Sequence, residues 1–190
     1  TITWCAVSFP SRRKIMTSST QLANTYSKLT QTAQHLAQIA ALSLQPIGKS
    51  TVVKVSTTSK WRQESGRLLT APDSTEATQE LIKAGVLKTE SGLGNRISQA
   101  FIGLAIHDAL RTETFEAIAT AVQKVRPSSP TYYWTSDSSV LLERDMRIAF
   151  YRNDAATFTR LAQHADSYPL VMDPYDVELF NNLHPALQAF

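Results

Sequence analysis

The sequence predicts a mainly α-helical fold carrying one short β-hairpin. Apolar residues recur at spacings of three and four along most of the 190 residues, two short apolar runs flank a Gly-rich tip, and the intervening loops carry Pro with Ser, Thr or Asp. With 43% apolar residues, the chain is long enough for one core or two small cores sharing an interface.

Residues 1–15 lack helical periodicity and contain Pro10, and they read as a disordered basic leader. Helix-start chemistry follows at Thr17, Ser18, Ser19 and Thr20. From residue 21 to 44, Leu22, Tyr26, Leu29, Ala33, Leu36, Ala37, Ile39, Ala40 and Leu44 trace one amphipathic helix, ended by Pro46 and Gly48. Val52, Val53 and Val55 form a β-branched run that favours a strand. Residues 60–69 read as a short helix with Trp61, Leu68 and Leu69 inward. Asp73 or Ser74 is expected to cap a helix over 75–84, with Ala77, Leu81 and Ile82 on its apolar side and Gly85 at its C-terminal end.

A hairpin comes next. Residues 86–89 and 96–99 are expected as strands around the tip Glu90-Ser91-Gly92-Leu93-Gly94-Asn95. Helical patterns then cover 101–110, 113–125, 140–151, 154–164 and 177–189, with loops at 127–137 and 168–174. The turn Arg152-Asn153-Asp154 joins two of these helices as an antiparallel helical hairpin.

Charge is unevenly distributed. The net charge of +3 resides in Arg12, Arg13 and Lys14, so the rest of the chain is neutral overall. Residues 49–96 carry eight bases against five acids, and residues 97–190 carry seven against eleven. The basic pI is therefore a weak pointer to nucleic acid. The leading charges follow a short apolar stretch, the reverse of a secretory signal, and no apolar run reaches the roughly 20 residues that span a bilayer. The expected location is cytoplasmic. Cys5 is the only cysteine, which leaves no internal disulfide and no Cys-based metal cluster.

Gly48-Lys49-Ser50-Thr51 has the ending of a phosphate-binding loop, but Ser43 stands at the first Gly position and a helix precedes it where a strand belongs. A helix-terminating turn is the better reading. His35, His107, His164 and His184 fall on separate elements without metal-ligand spacing, and adjacent His107 and Asp108 do not face one another on a helix. Nothing resembles a nucleophile elbow or a paired acid and base. No enzyme activity, cofactor, metal or small-molecule substrate is expected. Tyr132, Tyr133 and Trp134 form the densest aromatic cluster and are candidate protein-binding residues.

Over residues 30–99 the order helix, strand, helix, helix, strand, turn, strand resembles a winged helix. The domains expected are thus the leader 1–15, a winged-helix-like domain 16–99 and a helical-hairpin domain 100–190 packed on it. In a winged helix the third helix enters the major groove while the wing meets the backbone. Here that helix carries Asp73, Glu76 and Glu80 against Lys83 alone. The candidate nucleic-acid-binding residues are Lys60, Arg62, Arg67, Lys88 and Arg96.

Several stretches carry a family resemblance: Ala40 to Pro46, Glu80 to Leu87, Arg144 to Asp154, and Asp173-Pro174-Tyr175-Asp176 with Leu183-His184-Pro185. They resemble the N-terminal, non-catalytic region of large bacterial Swi/Snf-type or DEAD-box helicases. The winged-helix and helical-repeat arms of STAND-type signalling ATPases look similar. Lacking helicase and ATPase motifs, the chain inherits from this resemblance only a regulatory or scaffolding role. The leading expectation is a protein-interaction module, accessory to a nucleic-acid-dependent ATPase or helicase. The competing one is a weakly DNA-binding winged helix.

Overall fold

The computed structural model describes residues 19–128, 136–165 and 177–189. Its elements are mainly helical: α1 Ser19–Ser27, α2 Gln31–Ser43, α3 Lys49–Thr58, α4 Ala71–Lys83, β1 Leu87–Glu90, β2 Gly94–Ile97, α5 Gln99–Arg111, α6 Phe115–Val125, α7 Ser136–Tyr151, α8 Ala155–Ala162, α9 Val177–Asn182 and α10 Pro185–Gln188. None of the described helices is long and apolar enough to cross a membrane. The expected leader and the loop at 168–174 lie outside the described residues.

The continuous helix expected over 21–44 is broken in two. Thr30 caps α2 by accepting from the Ala33 N–H, while its own N–H and hydroxyl donate to the two carboxylate oxygens of Glu80 at 2.8 and 2.7 Å. A side-chain cap competes with helical backbone pairing, so apolar periodicity ran through a break that Thr30 enforces. α2 lies at the centre of the fold and packs against α4, α5 and α6. α2 buries the small Ala33, Ala37, Ala40 and Ala41, and α5, packed against it, buries Gly103, Ala105 and Ala109, a composition that permits close helix approach.

The strand expected around Val52, Val53 and Val55 is instead α3. Gly48 stands at its N-cap, and Val52, Val55 and Ser56 form the buried stripe at helical spacing. β-branched residues weaken a helix by at most about 0.7 kcal/mol each, less than the roughly 1.5–3 kcal/mol available from burying a valine. The helix expected over 60–69 is also absent. Lys60 adopts a left-handed φ of 58°, and the Trp61 N–H returns to the Ser56 carbonyl at 3.1 Å, closing α3. Beyond it the chain turns at Gly66. Leu69 is buried as expected, but Leu68 is exposed.

α4 starts four residues earlier than expected. Its cap is Thr70, not Asp73 or Ser74. Thr70 and Asp73 form a reciprocal capping box with Pro72 in the first turn, where its missing N–H costs nothing. Ala77 and Leu81 are buried, Ile82 is exposed, and Gly85 supplies the positive φ of 74° that ends the helix.

The hairpin forms where the Gly-rich tip indicated. Leu87 pairs with Ile97, Lys88 with Arg96, Thr89 with Asn95 and Glu90 with Gly94. A third segment joins it through one residue: Ile47 and Asn95 exchange N–H to carbonyl bonds of 2.8 and 3.1 Å. Gly94 makes that approach sterically feasible, since a Cβ there would lie 2.8 Å from the Ile47 carbonyl oxygen.

α7 and α8 form the expected antiparallel pair, with Asn153 at positive φ in the turn and Asp154 capping α8 through the Thr157 N–H. The helix expected over 177–189 splits into α9 and α10, because Pro185 opens a new first turn capped by His184. The apolar core is continuous from Tyr26 to Leu187.

Candidate functional site

A cleft of about 430 Å³ opens between the hairpin and α7. The register that sets Lys88 opposite Arg96 places both on one face of the hairpin, and both line this cleft together with the buried Ile97. From the other side α7 contributes Glu143 and Arg147, one turn apart. Leu44, Ile97, Ile102 and Val140 supply the apolar lining. Arg96 Nε lies 2.8 Å from Glu90 Oε1, and Arg147 Nη2 lies 3.2 Å from Glu143 Oε1.

α7 is held in place by a buried network. Arg144, only 1% exposed, donates from Nε to Asp145 Oδ1 at 2.9 Å and from Nη1 to the Arg126 carbonyl at 2.6 Å. Its Nη2 lies 2.8 Å from Asp145 Oδ1, off the hydrogen-bond direction. Gln123 and Ser128 also donate to Asp145, and Arg126 in turn donates to Gln45 and the Pro46 carbonyl, ahead of the Ile47 bridge. Near the opposite end of α7, Arg152 donates to Glu116, Gln123 and Thr120 of α6. The hairpin and α7 are thus tied to one frame.

The other candidate cations sit in the α3–α4 connection. Arg62 Nη1 donates to the Gly66 carbonyl at 2.8 Å, and Arg67 Nη2 pairs with Asp73 Oδ1 at 2.7 Å. Gln63 donates to the same carboxylate. Bonds from the Thr70 hydroxyl and N–H, then from Gln63 and the Arg67 charge, hold the Asp73 carboxyl below the usual carboxylate range. Lys60 is exposed where α3 ends. The cleft lining includes Lys88 and Arg96 but not Lys60, Arg62 or Arg67. Tyr132, Tyr133 and Trp134 lie outside the described residues.

Gly48, Lys49 and Ser50 open α3, so the partial phosphate-loop match coincides with a helix start following another helix. Asp108 turns away from His107 and accepts from Tyr26, Gln38 and Arg111, while His107 meets Tyr151 edge-on. Burial, then the neighbouring Asp108 charge and bond, pushes the Tyr26 hydroxyl well above its usual range. His35 is buried and stacked on Trp61 with ring centroids 4.0 Å apart. Among the described residues neither ring nitrogen meets a hydrogen-bond partner at good geometry, and burial pushes its pKa down to about 3, opposed by the nearby Gln38. Among the described residues no three His, Cys, Asp or Glu side chains are grouped to hold a metal.

Sequence reasoning found the cationic pair on the hairpin but missed Arg147 and Glu143. Their only signal is the i,i+4 spacing within a helix whose other arginine, Arg144, is buried in the frame. No family model, curated protein or solved structure matches the chain.

Proposed function

We propose that residues 31–97 form a winged-helix module and that the chain is a non-enzymatic interaction module whose partner is a protein. The order α2, Ile47, α3, α4, β1, β2, with Ile47 bridged to Asn95 of β2, supports the first part. The observation carrying the second is the charge at the start of α4. Arg67 is already neutralised by Asp73 at 2.7 Å, and Glu76 stands exposed one turn further on, where phosphates would approach. Accessory service to a nucleic-acid-dependent ATPase or helicase rests on the sequence resemblance.

DNA binding is the second reading, favoured by the direct opposition of Lys88 and Arg96 on the hairpin. The test is titration of a labelled mixed-sequence duplex at low salt with a chain whose Arg12, Arg13 and Lys14 are changed to Gln. No binding supports a protein partner; binding abolished by Lys88→Glu with Arg96→Glu replaces it with DNA.

A further inference from the structure

We propose that the cleft between the hairpin and α7 receives a carboxylate side chain flanked by aliphatic residues, presented by a segment of the partner protein. This inference rests on the protein-partner reading and names the chemistry of the segment.

Two arginines three residues apart on α7 show why. Arg144 and Arg147 are both buried, with side chains 1% and 7% exposed. Arg144 makes two hydrogen bonds, at 2.9 Å to Asp145 and 2.6 Å to the Arg126 carbonyl, and its Nη2, though off the hydrogen-bond direction, lies 2.8 Å from the same carboxylate. Among the described residues Arg147 has one such contact, at 3.2 Å, to a glutamate that is itself 42% exposed, and its buried Nε–H meets no acceptor. A guanidinium carries five N–H donors, and a buried cation left under-paired is costly to stability. Arg147 does not serve the frame that holds α7, and it lines the cleft.

The rest of the cleft fits the same ligand. Lys88 and Arg96 join Arg147, giving three cations against Glu143 within the lining. Arg96 is drawn off by Glu90, whereas Lys88 is exposed. Ile97 and Ile102 offer apolar surface beside these charges, suited to aliphatic neighbours of the carboxylate and unsuited to a bare, strongly hydrated anion. The cleft volume of about 430 Å³ falls within the roughly 300–1,000 Å³ of ligand clefts. A carboxylate accepts bidentate bonds from an arginine fork, which would use the Arg147 Nε–H that meets no acceptor among the described residues.

The test is an NMR titration of the full chain with two blocked tripeptides, acetyl-Leu-Glu-Leu-amide and acetyl-Leu-Gln-Leu-amide, up to millimolar concentration. The Glu peptide is expected to shift the amide signals of Lys88, Arg96 and Arg147 and to bind about tenfold more tightly than the Gln peptide. Lys88→Gln, on the exposed rim, should reduce that preference. Arg147→Met keeps an apolar stem in the wall and leaves Glu143 to solvent, so it should fold and lose the preference. Equal binding of the two peptides, shifts confined elsewhere, or no shifts would overturn the cleft assignment while leaving a protein partner in place. Binding of the duplex with shifts at Lys88 and Arg96 would overturn the reading beneath it.

Discussion

Arg144 donates from Nη1 to the main-chain carbonyl of Arg126 at 2.6 Å, joining the middle of α7 to the end of α6 inside the protein. Removing it strands Asp145, which is 9% exposed, without its cation. Arg144→Ala should therefore cost about 3–5 kcal/mol. Arg152→Ala, which breaks a more exposed set of bonds to α6, should cost about 1 kcal/mol or less. Urea denaturation of both variants measures the difference; coincident midpoints would contradict the assigned roles.

Gly94 and Gly92 separate backbone conformation from crowding. Both have positive φ, at 112° and 76°, but a Cβ at Gly92 meets open space whereas one at Gly94 strikes the Ile47 carbonyl. Gly92→Ala should destabilise by about 1 kcal/mol, and Gly94→Ala by about 2–3 kcal/mol with loss of amide protection at Ile47 and Asn95. Hydrogen exchange checks the second part. Retained protection in Gly94→Ala would mean that the bridge does not depend on the glycine.

Those glycines were the most legible part of the sequence. A tip containing Gly92 and Gly94 specifies its own turn, and Gly85 its helix end, through local backbone chemistry. The α7–α8 turn was readable for a similar reason, Asp154 being a strong cap beside Asn153. What escaped depended on distant partners. Val52 and Val55 are helical because a ten-residue amphipathic segment packs on α4 and α6, overriding local preference. The break at Thr30 depends on Glu80, fifty residues away. Residues 60–69 are organised around Asp73, not by their own periodicity. The cleft was half legible: Lys88 and Arg96 belong to a local hairpin, whereas Arg147 reaches them only through tertiary packing.

His35 should make stability depend on pH. Its folded pKa of about 3 lies below the unfolded value near 6.5, so the unfolded chain protonates first. Its contribution is intact above about pH 6.5 and falls as pH drops toward about 3, with a slope of up to about 1.4 kcal/mol per pH unit. His35→Phe preserves a ring against Trp61 and should flatten this part of the curve. Urea midpoints measured from pH 7 to 4 test it, and an unchanged slope would contradict the burial of a neutral imidazole.

Asp73 acts in a lower window. Its folded pKa is depressed chiefly by the Thr70 bonds, so its stabilisation is present above the ordinary carboxylate range, near pH 4, and is lost as pH falls through the folded value. Asp73→Asn should lower the melting temperature at neutral pH and converge with the parent chain in acid. A constant difference across that range would show that the carboxylate charge is not what stabilises the start of α4.

The choice between protein and phosphate as the recognised surface rests on one titration, the salt dependence of duplex affinity for the chain with Arg12, Arg13 and Lys14 neutralised. With Arg67 held by Asp73 and Arg96 by Glu90, affinity at low salt should be negligible, and any residual slope of log K against log salt should be below about one phosphate contact. A slope equivalent to about three or more contacts, falling by about two when Lys88 and Arg96 are both changed to Gln, would contradict the protein-partner account and make this a DNA-binding module.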